Sequence, residues 1–239
     1  MPNKFIKDDT KLLNMVQDAI KIEEKRRNFR LDHEVYHTKH LTECPRRLTY
    51  RVLAFDGSEN QDFRVENHNK YTANKWVDFF DECKKVSVLE RDVLAADCNT
   101  NLVGKADAIL RVGDFTSVLI VDSLQSTQYH TAHETGGLRN QIVNLMMVMW
   151  LVEVENGMLI CENKDTNEYF MSHVIPYRPI IDSSIHKCKQ LMDKAFLQQI
   201  PDRAYKNDDG HECKICEYRK TCWTNKEKET LHAQKAKTD

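Results

Sequence analysis

No stretch of this chain approaches the roughly 20 consecutive apolar residues that a membrane-spanning helix needs. Its opening, MPNKFIKDDTK, lacks the apolar centre of a secretory signal, so a cytoplasmic protein is expected, without a membrane partner. There is no surplus of positive charge either: 35 Lys and Arg stand against 37 Asp and Glu. The chain as a whole does not attract a polyanion, and any nucleic-acid contact has to come from a local basic patch. Regular disulfide spacing is also missing. The eight cysteines fall unevenly at 44, 83, 98, 161, 188, 213, 216 and 222, unlike a small secreted framework. In a reducing compartment, clustered cysteines point to metal ligation instead.

What is present suits one substantial core. The chain has 239 residues, 41% of them hydrophobic, which predicts a single α/β unit with a stapled periphery. Leu12, Leu13, Val16, Ala19, Ile20 and Ile22 recur near helical spacing after Thr10, predicting an amphipathic helix to about Arg27. A second helix starts at CPRRLTYRVLA, where Pro45 suits a first turn, and FDGSENQDF reads as a loop. From about Asn69 to Lys85, Tyr71, Trp76, Phe79, Phe80 and Cys83 form a helical face assigned to core packing.

Three strand-like runs follow, VSVLERDVLAA, LVGKADAILRV and TSVLIVDS, separated by CNTN and by Gly113-Asp114, which predicts an antiparallel meander. GGLRNQIVNLMMVMWLVE then reads as a buried helix over the sheet, and GMLICEN and EYFMSHVIPY as two further strands around the turn KDTN. A last helix runs from about Pro179 to Gln199, ahead of a cysteine-rich segment and a charged tail. The order fits a mixed sheet with helices against it.

Cys213 and Cys216 are two close thiols, and Cys222 follows after five intervening residues, a spacing that wraps a short loop around one centre. Three ligands leave a tetrahedral site incomplete, and Cys44, before Pro45-Arg46-Arg47, is the natural fourth. The alternatives are structural zinc on the same thiols, or unconnected cysteines in a tail. His211 is a further candidate ligand, more simply read as a surface histidine. Cys83, Cys98, Cys161 and Cys188 are read as small core residues.

The pattern HxxxLxxCPRR from His37, joined to CxxCxxxxxC from Cys213, resembles the RecB-like PD-(D/E)XK nucleases of the CRISPR-associated Cas-four type and their phage-encoded relatives. The resemblance spans roughly Tyr36 to Trp223. It implies a restriction-endonuclease-like core, a [4Fe–4S] cluster on Cys44, Cys213, Cys216 and Cys222, and a cation site for Mg2+ or Mn2+. In Gly104-Lys105-Ala106-Asp107, which resembles the GxxD motif, Asp107 would be the central ligand. Asp122, 15 positions on, takes the acid place of the (D/E)xK motif, and His37, seven residues before Cys44, takes that of the family histidine. Taken singly, each residue is as well explained as a turn, cap or packing residue.

Two features depart from the pattern. The lysine that would orient water and stabilise charge is replaced by Leu124, which can do neither. In the QxxxY motif Gln141 is present but Leu145 holds the tyrosine place; Gln141 would contact a phosphate or a bound water, or simply belong to a buried helix. Lys164, in Glu162-Asn163-Lys164, resembles a segment that phage relatives carry besides their catalytic lysine, so it is not assigned as a replacement. Lys105 precedes the ligand aspartate, and Gln125 would orient water only weakly.

The resemblance divides the chain into an N-terminal helical region (1–68), a nuclease-like α/β core (69–200), a cysteine segment (201–223) and a charged tail (224–239). It implies hydrolysis of DNA single strands or ends, with Arg46, Arg47 and Arg51, and also Lys84 and Lys85, as candidate phosphate contacts. A solvated charged surface explains these residues equally well. The missing lysine keeps a second expectation open: an inactive nuclease fold that binds DNA or assembles with protein partners in a replication, recombination or transcription complex. Redox sensing ranks third.

Overall fold

The computed structural model describes residues 35–53, 55 and 63–224 of the chain. The helix expected from Thr10 lies outside these residues. Six strands and seven α-helices are described: β1 (Tyr36–His37), α1 (Pro45–Val52), α2 (Phe63–Glu82), β2 (Val86–Asp97), β3 (Leu102–Val112), β4 (Phe115–Leu124), α3 (Ser126–Thr135), α4 (Arg139–Leu151), β5 (Gly157–Asn163), β6 (Tyr169–Val174), α5 (Arg178–Phe196), α6 (His211–Lys214) and α7 (Arg219–Trp223). A 3-10 turn, Thr38–His40, follows β1.

The strands form one mixed sheet. β2, β3 and β4 make the antiparallel meander expected from the sequence; β4 and β5 run parallel, with α3 and α4 in the crossover, and β6 returns antiparallel. Because β4 is covered on both sides, its sequence is a continuous apolar run rather than an alternation.

Each face has its own apolar cluster. On one side Trp76, Val77 and Phe80 of α2 pack on Leu110, Leu119, Val121 and Ile160. On the other, Leu145, Met147, Val148 and Met149 of α4 pack on Leu102, Val118, Ile120 and Leu159. Helix α4 lies so close that a Cβ at Gly157 would meet the Met149 sulfur at 2.6 Å, and one at Gly104 would meet Leu151 Cδ1 at 2.8 Å. The glycine of the Gly104–Asp107 segment is thus required by packing.

Four expectations need correction. Helix α2 begins at Phe63, earlier than its aromatic face suggests. On that face Trp76 and Phe80 are buried, but Tyr71 and Phe79 are 70% and 54% exposed, since the aromatic positions spread over more of the helix circumference than the sheet covers. Helix α3 fills the stretch between β4 and α4 that the sequence left unassigned, because its polar surface carries only two buried residues, Tyr129 and Ala132. Finally, Cys161 and Cys188 are core residues, whereas Cys98 is exposed in the β2–β3 turn and Cys83 is half-buried beyond α2. Among the described residues no helix is long and apolar enough to cross a membrane.

Candidate functional site

Strands β3 and β4 pair from Val112↔Phe115 only as far as Ala108↔Leu119 and then part. Beyond the split, β1 takes the same edge of β3, pairing Tyr36 with Leu102 and His37 with Val103. Asp107 stands at the fork. Parting strands leave backbone groups without ladder partners, and the Asp107 carboxylate answers one of them, accepting a 2.7 Å hydrogen bond from the Val121 N–H. Across β2 the geometry is also irregular: between the pairs Arg91↔Ala108 and Val93↔Ala106, Asp92 adopts φ +50°. That is a strained conformation for a residue in a strand.

Asp122 lies near the end of β4, paired with Cys161 of β5. Its Oδ2 accepts a 2.8 Å hydrogen bond from Gln141 Nε2. Gln141 is only 3% exposed, and its orientation is set by the helix it starts: Oε1 accepts the Leu138 N–H at 2.8 Å, capping the first turn of α4. With the oxygen so engaged, the amide nitrogen has to face the carboxylate. The cap of one helix therefore holds the acid of another element.

Both acids are raised, and Asp107 feels the charge of Asp122. Burial, then the Asp122 charge, raise the Asp107 pKa to about 6, against the pull of the Val121 N–H and Lys105. Burial pushes Asp122 upward too, opposed by the Gln141 hydrogen bond and by the charges of Lys164 and Lys39. Paired carboxyls that resist ionisation are suited to binding a cation, which relieves both penalties. Among the described residues, however, no three His, Cys, Asp or Glu side chains converge as a ready-made metal site. His37 is carried to the fork by β1 without closing a triad with the aspartates.

Leu124 shares the Asp122 face of β4, as the i, i+2 relation requires, but at 8% exposure it joins the apolar cluster under α4. The cations whose fields reach Asp122 come from elsewhere. Lys164 follows β5, its N–H donating to the Leu124 carbonyl at 2.8 Å. Lys39 lies on the 3-10 turn, beside Thr38, whose hydroxyl donates to Asn144 Oδ1 at 2.6 Å. Lys39 was missed in the sequence because only the docking of β1 on β3 brings it near a residue 83 positions away. Glu162 is buried on the opposite face of the sheet, held by Lys75 and by Trp76 Nε1 at 2.9 Å, and belongs to the α2 side.

Cys44, Cys213, Cys216 and Cys222 lie in a separate region, around a cavity of their own. Cys44 is the N-cap of α1, where Pro45 occupies the first turn. Cys213 ends up beside Cys216 through the Cys216 N–H to Cys213 carbonyl bond of 3.2 Å, and the Cys222 N–H bonds the Tyr218 carbonyl at 2.8 Å. All four line one cavity of ≈ 230 Å³, and none is in a disulfide. Burial and the charges of Cys222 and Cys44 push the Cys213 thiol upward; burial does the same to Cys216.

The arginines expected to meet phosphate serve this lobe. Arg47 and Arg51 both pair with Glu43 and Glu217, Arg47 reaching Glu217 at 2.6 Å and Arg51 reaching it at 2.8 Å. Arg46 is buried, its guanidinium donating to the Tyr50 hydroxyl at 3.0 Å. The charges of Arg47 and Arg51 are matched by acids rather than offered to solvent. The rings of Phe55 and Tyr218 both pack on Tyr50 in tilted contacts, at 4.9 and 5.3 Å.

No family model matches the chain, and no curated protein matches it in sequence. Solved structures do match in shape. An alkaline exonuclease (LHK-Exo) from Laribacter hongkongensis superposes with a TM-score of 0.54 at 10% identity, over 69% of this chain and 89% of that one. The same exonuclease in complex with dAMP matches equally. A protein named SSO0001 superposes with a TM-score of 0.55 at 16% identity, over 87% of this chain and 96% of its own. The chain is therefore similar in fold to that exonuclease: a mixed sheet flanked by helices.

Proposed function

We propose that the chain is a metal-dependent DNA nuclease of the RecB-like, iron–sulfur type, acting on single strands or ends. The observation that carries this reading is the convergence of Asp107 and Asp122 at the β3–β4 fork, with Gln141 locked onto Asp122, on a fold shared with an exonuclease. The donor set is two oxygen-bearing acids with raised affinity for protons, which fits a hard divalent cation. Asp107 and Asp122 would hold Mg2+ or Mn2+, with His37 assisting; the cation supplies Lewis acidity toward a phosphodiester. Gln141 keeps Asp122 oriented, and the Val121 N–H keeps Asp107 oriented. Lys164 and Lys39 place positive charge near Asp122 where Leu124 supplies none, an arrangement that favours a bound phosphate.

Four uncrosslinked thiols around one cavity suit a [4Fe–4S] cluster or a zinc ion. Cys44, Cys213, Cys216 and Cys222 would hold it, and its bonds would clamp α1 to the C-terminal segment. The phage-encoded relatives of the resemblance carry such a cluster, which favours iron.

A second reading, an inactive fold kept for DNA binding or assembly, is favoured by Leu124, whose place among core residues leaves no trace of a catalytic group. The deciding experiment is Mg2+- and Mn2+-dependent cleavage of labelled single- and double-stranded DNA by anaerobically purified protein of known iron and sulfide content. Cleavage that disappears in Asp107→Ala and Asp122→Ala establishes the nuclease. Its absence from cluster-loaded protein establishes the second reading.

A further inference from the structure

Between α3 and the β5–β6 turn lies a cleft of ≈ 560 Å³ lined by Tyr129, His130, His133, Asn167, Glu168 and Tyr169. The rings of Tyr129, His130 and His133 on α3 make one of its walls. His133 stacks on Tyr129 at 6.0 Å and 23°, and its edge meets Phe170 at 5.3 Å. Tyr169 borders the cleft from β6, but its ring packs on Trp76 at 4.6 Å, on the α2 face of the sheet, so the exposed rings on the cleft side are those of His130 and His133. The volume is within the range of sites for small planar ligands, roughly 300–1,000 Å³.

Its place in the fold ties it to the carboxylates. Helix α3 leaves the end of β4 one residue after Leu124, and the turn leaves the end of β5 after Asn163. These are the carboxyl ends of the two parallel strands, the pole at which Asp122 stands. Lys164, hydrogen-bonded to the Leu124 carbonyl, begins the turn and carries a charge that Asp122 feels. Glu168, hydrogen-bonded by the Thr166 hydroxyl at 3.1 Å, makes the cleft itself unsuited to phosphate but able to accept from an exocyclic amino group. The backbone of a ligand would then run on the Lys164 side and its base on the ring side.

We infer that this cleft is a stacking subsite for an unpaired base of a nucleic-acid strand whose backbone leads to Asp107 and Asp122, an inference that rests on the nuclease reading. Stacking on rings is indifferent to base identity but demands a free π-face, which a duplex interior does not offer. The subsite therefore selects single strands or frayed ends.

The test is binding of a short labelled single strand, and of a blunt duplex of the same sequence, followed by fluorescence anisotropy in EDTA. His133→Ala and His130→Ala should each weaken single-strand binding by about tenfold, the loss of one stacking surface. His133→Phe should bind as the unaltered protein does, and duplex affinity should not move. His133 packs on Tyr129 and Phe170, so its variants are compared by melting temperature; the exposed His130 provides a second arm that leaves the fold intact. Equal affinity in all variants overturns the subsite, as does an equal loss for duplex. If the unaltered protein cleaves duplex with Mn2+ yet binds no single strand, the subsite falls and the nuclease stands. Ring-dependent binding without cleavage leaves the subsite and removes the catalytic reading; neither binding nor cleavage removes both.

Discussion

The carboxylate fork and the cysteine lobe are built on opposite principles. The fork is embedded in the main apolar cluster, its acids positioned by backbone N–H groups and a helix cap, so its geometry comes with the sheet. The lobe has a small apolar cluster of Tyr50, Phe55 and Tyr218, and is otherwise fastened by glutamate–arginine pairs at the rim of its cavity. A site resting on a core tolerates loss of its polar groups; one resting on few apolar contacts would depend on any group bound in it.

The sharpest way to break this contrast is to remove one of the proposed ligands from each region. Asp107→Ala is expected to lower Mn2+-dependent cleavage by about 10³-fold or more, the several kcal/mol that a bound cation contributes to phosphoryl transfer. Its melting temperature should change little, since the relief of removing a buried acid is offset by the lost hydrogen bond from the Val121 N–H. Cys216→Ser should do the reverse. Bound iron and sulfide should fall, and limited proteolysis should open sites between Arg203 and Cys222 while the sheet melts as before. A Cys216→Ser protein that loses the whole sheet at once would show that the lobe and the core are one cooperative unit.

A smaller effect is expected from Glu217→Gln. Arg47 and Arg51 would keep only Glu43, and the lobe should lose about 1–2 kcal/mol, the range for charge-assisted hydrogen bonds at a partly buried site. Hydrogen exchange should quicken in α1 and α7 and not in β4. Equal quickening in both would contradict the separation of lobe from core.

The same contrast explains what the sequence made legible. Strands β4 and β5 and helix α4 declare themselves through apolar runs, because two-sided burial leaves strong local signals, whereas β2 and β6, largely exposed, show through β-prone residues and the turns that bound them. The cysteines line one cavity, three of them held close by the short turns from Cys213 to Cys222 and Cys44 brought in from the start of α1. Lys39 and α3 were not legible. The first acts only through the pairing of β1 with β3, and the second buries too little to imprint a period on its sequence. The pairing of the arginines was not legible either, because nothing in the run Cys44-Pro45-Arg46-Arg47 marks Glu217, 170 positions from Arg47, as a partner.

The smallest effect is electrostatic and belongs to the fork alone. In metal-free protein the Asp107 carboxyl has a pKa of about 6, against roughly 3.9 in an unfolded chain. The folded state thus binds the proton more tightly between those values. The resulting penalty is fully present above pH 6, shrinks as pH falls, and is gone below about 4. The gap between the folded and unfolded values sets a ceiling of about 3 kcal/mol, and partial solvent access makes about 1–2 kcal/mol the expected size. His40 works against this trend: burial lowers its pKa, so acid favours the unfolded chain through the same window. Glu43 and Glu217, both lowered, cost stability only at more acid pH, nearer the ordinary carboxylate range. The measurement is therefore a difference. Urea unfolding in EDTA at pH 5 and 7.5 should show the native chain gaining about 1–2 kcal/mol more on acidification than Asp107→Asn, since His40 and the glutamates cancel between the two proteins. A difference near zero would mean that Asp107 ionises as a solvated acid, and that the fork is open to water rather than built from the core.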